Sequence, residues 1–202
     1  MKILFFGDSI TEGGRCLQNP EDLGNGYVRI LAGKLRLLYP DREFKFINRG
    51  VGGNRTAHLL ERLNEDVIAE NPDFVVLQIG INDVWWRFID GTTVTPEQFR
   101  ENYEQIVTAI KCTGAKLFIV QPYVLNMGDK ARFRPYLNVF NKIIREIADE
   151  EADEFIPMDE IFTGLARDTG ANQFTEDGVH PTHRGCRYIA DRIILKLEKY
   201  LK

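Results

Sequence analysis

Ser9 lies in the segment Gly7-Asp8-Ser9-Ile10-Thr11-Glu12-Gly13-Gly14-Arg15, directly after the apolar run Ile3-Leu4-Phe5-Phe6. A serine at the end of a strand, followed by glycines, can be exposed at the rim of a sheet. Its hydroxyl is a weak nucleophile until a neighbouring base takes the proton. Histidine suits that role because its ordinary pKa is about 6.5. Asp177 and His180 lie three apart in Thr175-Glu176-Asp177-Gly178-Val179-His180-Pro181-Thr182. That spacing lets one carboxylate orient an imidazole within a single loop. Asn82, in Gly80-Ile81-Asn82-Asp83, carries an amide that can donate to a developing oxyanion. The segment Asn48-Arg49-Gly50-Val51-Gly52-Gly53-Asn54 is rich in glycine, and backbone amides there can point at an anion.

Each of these residues also has a plainer reading. Ser9 can cap a helix. The glycine block can be a tight βα turn, and Asn82 an ordinary turn residue. Asp177 can be a helix cap and His180 a surface side chain. His58 falls inside a helix and His183 in the first turn of the last one, where structural or solvated roles are expected. Three other motifs are excluded outright. The Ser9 segment lacks the G-K-[ST] of a phosphate loop. It is not G-x-S-x-G, since position 11 is threonine. A dinucleotide fingerprint in the glycine block would need glycine where Arg55 stands.

The elements that must position these residues are legible as alternating patterns. Ile3–Phe6, Phe44–Ile47, Phe74–Ile79, Leu117–Val120 and Phe155-Ile156 read as strands. The run from Phe74 is almost wholly apolar, as in a strand buried on both faces. Between them, Val28, Leu31, Leu35 and Leu38 recur at helical spacing and end at Pro40. Leu59, Leu60, Leu63, Val67 and Ile68 share a helix face between Thr56 and Glu70, closed by Pro72. Thr95-Pro96-Glu97-Gln98 opens a helix with a stripe of Phe99, Tyr103, Ile106, Val107 and Ile110. Phe133, Tyr136, Leu137, Phe140, Ile144 and Ala148 mark another. The last, after Pro181, carries Ile189, Ile193, Leu197 and Leu201. Such alternation predicts a three-layer α/β/α fold on a parallel sheet, with ligands bound beyond the carboxyl ends of the strands. The four unusual segments follow strand ends or precede the last helix.

The chain has 202 residues, 26 basic and 30 acidic side chains, and a net charge of −4. One domain over residues 1–202 is expected from that length. Apolar residues at 44% and charged residues at 28% exclude a disordered chain. Mild acidity argues against a nucleic-acid partner, and no apolar run is long enough for a membrane span. Cys16, Cys112 and Cys186 are few and far apart, without a C-x-x-C, so neither a zinc site nor a disulfide framework is indicated. No metal and no cofactor is expected. The apolar opening resembles a leader only as far as Phe6, where Gly7-Asp8-Ser9 interrupts it; the expected location is cytoplasmic.

Taken in order, Gly7-Asp8-Ser9, Gly50 to Gly53, Gly80 to Asp83 and Asp177 to His180 resemble the four blocks of the SGNH hydrolases, a branch of the GDSL esterases. The resemblance spans essentially the whole chain. Its one departure is Ile10 where the family nickname has leucine. It implies a flavodoxin-like fold with a five-stranded parallel sheet. It implies Ser9 as nucleophile, His180 as general base and acid, and Asp177 as the residue orienting His180. The oxyanion donors fall on the backbone amides of Ser9 and Gly53 and on the side chain of Asn82. Gly53 is chosen over Gly52 because the family's glycine immediately precedes a polar residue, here Asn54.

Gly7 to Thr11, Gly26-Tyr27-Val28, Asp66 to Ala69 and Ile79 to Trp85 further resemble bacterial acetyl-xylan esterases. The implied activity is hydrolysis of short acetyl esters, on acetylated xylo-oligosaccharides or related sugars, through an acyl-Ser9 intermediate. The alternatives are a lysophospholipase, thioesterase or platelet-activating-factor-type acetylhydrolase, and a non-catalytic sugar-binding protein. Trp85, Trp86 and Tyr123 are candidate substrate-binding residues at the same edge. Trp85, Trp86 and Phe88 are also candidate contacts of a homo-oligomer. Arg15, Arg55, Arg87, Arg132 and Arg134 fall in loops near that edge, where solvated surface charge is the plainer reading.

Overall fold

The apolar runs form the parallel sheet that their composition predicts. In a computed structural model that describes residues 1–201, the strands are β1 (Lys2–Gly7), β2 (Lys45–Gly50), β3 (Phe74–Gln78), β4 (Lys116–Val120) and β5 (Glu154–Ile156). Their order is β2-β1-β3-β4-β5, all parallel, the flavodoxin-like arrangement. Ile3 to Phe6 and Val75 to Leu77 have no exposed surface, because helices cover both faces.

Eight helices accompany the strands: α1 (Ser9–Glu12), α2 (Tyr27–Leu38), α3 (Thr56–Leu63), α4 (Ile81–Trp85), α5 (Pro96–Cys112), α6 (Arg134–Glu151), α7 (Met158–Thr169) and α8 (His183–Leu197). From β1 the chain steps to β2 in one direction; from β2 onward it steps the other way, across to β3, β4 and β5. Right-handed crossovers therefore put α2 on one face and α3, α5 and α6 on the other. α8 packs against α2 and shares its face, whereas α5 packs between α3 and α6. The reversal of direction opens a crevice beside the carboxyl end of β1, where Ser9 begins α1.

Two glycines let α1 sit so close to the strand ends. Gly7 and Gly50 are register partners. A Cβ on Gly7 would come within 2.5 Å of Thr11 Oγ1, and one on Gly50 within 2.1 Å of the backbone nitrogen of Glu12. Any side chain at either position would push the serine turn off the sheet.

Several elements differ from the sequence reading. α3 ends at Leu63 and continues as a π-helical turn over Asn64–Ile68. α7 was not expected at all. Only Met158, Asp159 and Phe162 are buried along it, too narrow a stripe to stand out among its polar residues. α1 and α4 are too short to show a helical period. The α5 start is as predicted: Thr95 Oγ1 accepts from Gln98 N at 3.2 Å and Gln98 Oε1 accepts from Thr95 N at 3.1 Å. Among the described residues, no helix is long and apolar enough to cross a membrane, and no group of three His, Cys, Asp or Glu side chains converges to hold a metal ion.

Candidate active site

α1 is held by Asp8, not by Ser9. The Asp8 carboxylate accepts from Ile10 N at 3.0 Å and caps the helix, leaving the Ser9 hydroxyl free to face outward. Across the crevice, the loop before α8 is braced by a bridge between Thr175 and Pro181. Within it Asp177 Oδ1 accepts from Val179 N at 2.9 Å and His180 N at 2.8 Å, while Oδ2 lies 3.0 Å from His180 Nδ1. His180 Nε2 lies 3.1 Å from Ser9 Oγ. A continuous line of hydrogen bonds therefore runs from Asp177 through His180 to Ser9, joining residues 171 positions apart. Thr182, rather than Asp177, caps α8 by accepting from Gly185 N.

Electrostatics follow from these contacts. Burial works against ionised Asp177, but the hydrogen bonds from the His180 ring and from two backbone amides outweigh it and hold the carboxyl well below the usual carboxylate range. The same ring contact raises the pKa of His180 above its ordinary value, against partial desolvation, and the Asp8 charge adds to that rise. The Asp177 bond also fixes the tautomer, with the proton on Nδ1 and a lone pair on Nε2 facing the serine.

The facing wall of the crevice brings together α1, the glycine block and α4. The Gly52 amide donates to the Glu12 carboxylate and is spent. The Gly53 amide, in a left-handed conformation at φ 77°, makes no hydrogen bond among the described residues, so it is the free donor of the pair. The Ser9 amide, the first of α1, likewise has no partner within its helix. Asn82 Nδ2 donates one hydrogen to the Asn54 carbonyl at 3.0 Å, which leaves its second hydrogen unspent.

Residues outside the expected set hold this arrangement. Arg62 donates to the carbonyls of Gly7 at 3.0 Å and Arg49 at 2.9 Å and to Asn54 Oδ1 at 2.8 Å, tying the serine block to the glycine block. Asp83 accepts from Thr56 N at 3.2 Å and Thr56 Oγ1 at 2.7 Å, so α4, which carries Asn82, is fastened to the first residue of α3. Nothing in the local pattern marks Arg62, a polar residue on an amphipathic helix. Asp83 could have been suspected from the G-x-N-D block.

The three candidate substrate contacts separate. The Trp85 ring lies 5.6 Å from the His180 ring, tilted by 52°, and Lys130 Nζ lies over the Trp85 ring at 4.6 Å from its centroid. Trp86 Nε1 donates to the Gly53 carbonyl at 3.1 Å and so braces the glycine block. Tyr123 corrects the expectation of a substrate contact: it has no exposed surface and packs edge-on against Phe162 of α7, with its hydroxyl unpartnered. It follows β4 at the right edge, but α7, unseen in the sequence, covers it. Of the arginines, Arg15 is buried and donates to the Gly50 carbonyl, and Arg134 pairs with Asp159. Arg55, Arg87 and Arg132 lie over the rings of Trp86, Tyr136 and Phe88. His58 Nδ1 accepts from Arg55 N inside the α3 cap, and His183 is exposed at the start of α8.

A cleft of about 380 Å³ opens onto the serine and histidine, lined also by Gly13, Gly14, Asn25 and Glu176.

The chain is similar to several known esterases. The acetylxylan esterase of Geobacillus stearothermophilus is 29% identical over 94% of this chain and 90% of its own. An arylesterase of Vibrio mimicus is 25% identical over 99% and 90%. The crystal structure of the Geobacillus esterase superposes with a TM-score of 0.88 at 28% identity, covering 97% of this chain and 93% of that one. Catalytic mutants of that esterase replace a serine, an aspartate and a histidine, the last two spaced as Asp177 and His180 are. An alpha/beta hydrolase enzyme from the metagenome of Lake Arreo, Spain, gives a TM-score of 0.89 at 26% identity, with 98% and 94% covered. The model of the GDSL-like lipase/acylhydrolase family matches residues 5–188, and the chain belongs to that family, as a carboxylic ester hydrolase.

Proposed function

We propose that the protein is a serine acetylesterase of acetylated sugars, with xylo-oligosaccharides as the favoured class, and that residues 1–202 act as one catalytic domain. The observation that carries this is the hydrogen-bonded line Asp177–His180–Ser9 beside the free Gly53 amide. The likeness to an acetylxylan esterase over nearly the whole of both chains supports the substrate class.

In this reading Ser9 Oγ attacks the acetyl carbonyl while its proton passes to His180 Nε2. Asp177 stabilises the imidazolium so formed. The carbonyl oxygen becomes an oxyanion held by the amides of Ser9 and Gly53 and by Asn82 Nδ2. The tetrahedral species collapses as the sugar oxygen leaves with the proton from His180, giving acetyl-Ser9. Water then attacks that ester, again losing its proton to His180. A second tetrahedral species releases acetate, and the proton returns to Ser9. Every bond made and broken is accounted for by these groups.

The test is acetate release from acetylated xylo-oligosaccharides, set beside other acetylated sugars, aryl esters of increasing chain length and lysophospholipid. Expected are high rates on acetyl esters, falling steeply by octanoate, and near-complete loss in Ser9→Ala. Equal rates on acetate and palmitate esters overturn the acetylesterase reading. Full turnover by Ser9→Ala overturns the serine mechanism.

A further inference from the structure

Asp8 is the carboxylate nearest the serine in sequence, and the reaction above leaves it unused. Its side chain is 1% exposed. Oδ1 caps α1 through Ile10 N, but Oδ2 is buried with no hydrogen-bond partner. An asparagine would cap the turn equally well, because the cap needs only one accepting oxygen. It would also avoid burying an ionisable group with an empty side, which is costly. The cap therefore explains an Asp or an Asn at this position, and the charge needs another reason.

That reason lies in what faces it. Asp8 adjoins Ser9, whose Oγ is 3.1 Å from His180 Nε2. The groups that sense Asp8 are His180 from the loop before α8, Asp83 from α4, Tyr27 from α2, Tyr123 beyond β4 and Arg62 from α3. Arg62 is the fixed cation among them, and its hydrogen bonds go elsewhere, to Gly7, Arg49, Asn54 and Asp66. Asp83 is acidic and the tyrosines are neutral. His180 is the group whose charge changes during the reaction.

We infer that Asp8 is a positioning residue with two tasks: Oδ1 holds the turn that presents Ser9, and the carboxylate charge favours the imidazolium that His180 becomes. Asp8 takes no proton from substrate and forms no covalent bond. Burial raises its own pKa to about 7, opposed by the Ile10 amide and by the His180 charge. The carboxylate thus ionises near neutral pH. Above that range the field of Asp177 is joined by that of Asp8. Below it Asp177 acts alone.

The inference rests on the assignment of Ser9, His180 and Asp177 made above, and the two fail separately. Turnover by Ser9→Ala would sink that assignment. The inference itself is tested with Asp8→Asn, which keeps the cap and removes the charge, beside Asp8→Ala, which removes both. For Asp8→Asn the expected result on aryl acetate is an acid limb of kcat/KM displaced downward by about half a pH unit to one unit. The plateau kcat should fall by about three- to tenfold, the factor that a shift of that size is worth. A pH profile superimposable on the parent's, with kcat within twofold, reduces Asp8 to a cap; Asp8→Ala would then be the one defective variant.

A second measurement does not use activity. Between the ordinary Asp pKa of about 4 and the folded value of about 7, the unfolded chain releases the Asp8 proton and the folded chain retains it. Folding stability falls with rising pH across that window, and the penalty is complete above it. Asp8→Asn should therefore gain on the parent in melting temperature, by several degrees, as pH rises from 4 to 7.5. A gap that does not change with pH overturns the claim that a charge is buried there.

Discussion

Asp177 bonds the His180 imidazole and Asp8 adjoins Ser9, and the two carboxylates lie in different settings. Asp177, in the loop before α8, has both oxygens occupied: two backbone amides on Oδ1 and the His180 ring on Oδ2. Asp8, at the end of β1, is more deeply buried and has one amide on Oδ1 and nothing on Oδ2. The first is held well below the ordinary carboxylate range, and the second is pushed up to about 7. Asp83 falls between them. It is as buried as Asp8, yet donors from Thr56 reach both its oxygens, and burial pushes it up only to about 6. Partners, as well as depth, decide how much charge a carboxylate keeps.

The strongest way to break this contrast is to take the charge from the well-partnered member. Asp177→Asn should lower kcat by about 10⁴-fold, because the ring loses both its tautomer and the support of its imidazolium. An unaltered kcat would remove Asp177 from the mechanism. Its stability effect has the opposite sign to that of Asp8→Asn. Asp177 has a depressed folded pKa, so its contribution is present above the ordinary Asp range and fades as pH falls through the lower folded value. The melting-temperature deficit of Asp177→Asn should therefore shrink on acidification below pH of about 4. A deficit that grows instead would contradict the assignment.

Asn82 carries the contrast over to a neutral donor. One hydrogen of its amide is spent on Asn54, and the other is unspent. Asn82→Ala should cost about 10²–10³ in kcat with a small change in KM. A loss confined to KM would mean that Asn82 binds the ground state only.

The pH profile of the parent enzyme sharpens the comparison further. His180 must be neutral to accept the serine proton, so kcat/KM should rise with pH. Because the Asp177 contact raises its pKa, the midpoint should lie above the ordinary value of about 6.5. A rate that is flat from pH 5 to 9 would exclude a histidine base.

The smallest effect is expected at Tyr123. Its hydroxyl, like Asp8 Oδ2, is buried without a partner, and the mechanism gives it no role. Tyr123→Phe should leave kcat/KM within about twofold and stability equal or slightly raised, since an unpaired buried hydroxyl is removed at constant shape. A large loss of activity would return Tyr123 to the substrate site.

The legible parts of the fold were those with a long or pure pattern. Five strands and the faces of α2, α3, α5, α6 and α8 can be read directly. α7 cannot, because its buried stripe is narrow, and Tyr123 was misjudged as a consequence. α1 and α4 escaped because a helix of one turn has no period. In the site, Asp177 and His180 could be paired from their spacing, since residues three apart in a turn are neighbours by chain geometry. Ser9 and Asn82 carried no such local guarantee. Their standing came from the order of four blocks along the chain.

The sequence by itself determined the strand–helix alternation and the local Asp177–His180 pair. Each depends on stereochemistry or patterning over a few residues. Only the tertiary structure decided that Glu12 occupies the Gly52 amide and leaves that of Gly53 free, that Arg62 ties two blocks together, and that Asp8 is buried with an unpartnered oxygen. Those outcomes depend on which groups from distant elements share a small volume, because burial and hydrogen-bond competition are properties of the packed site.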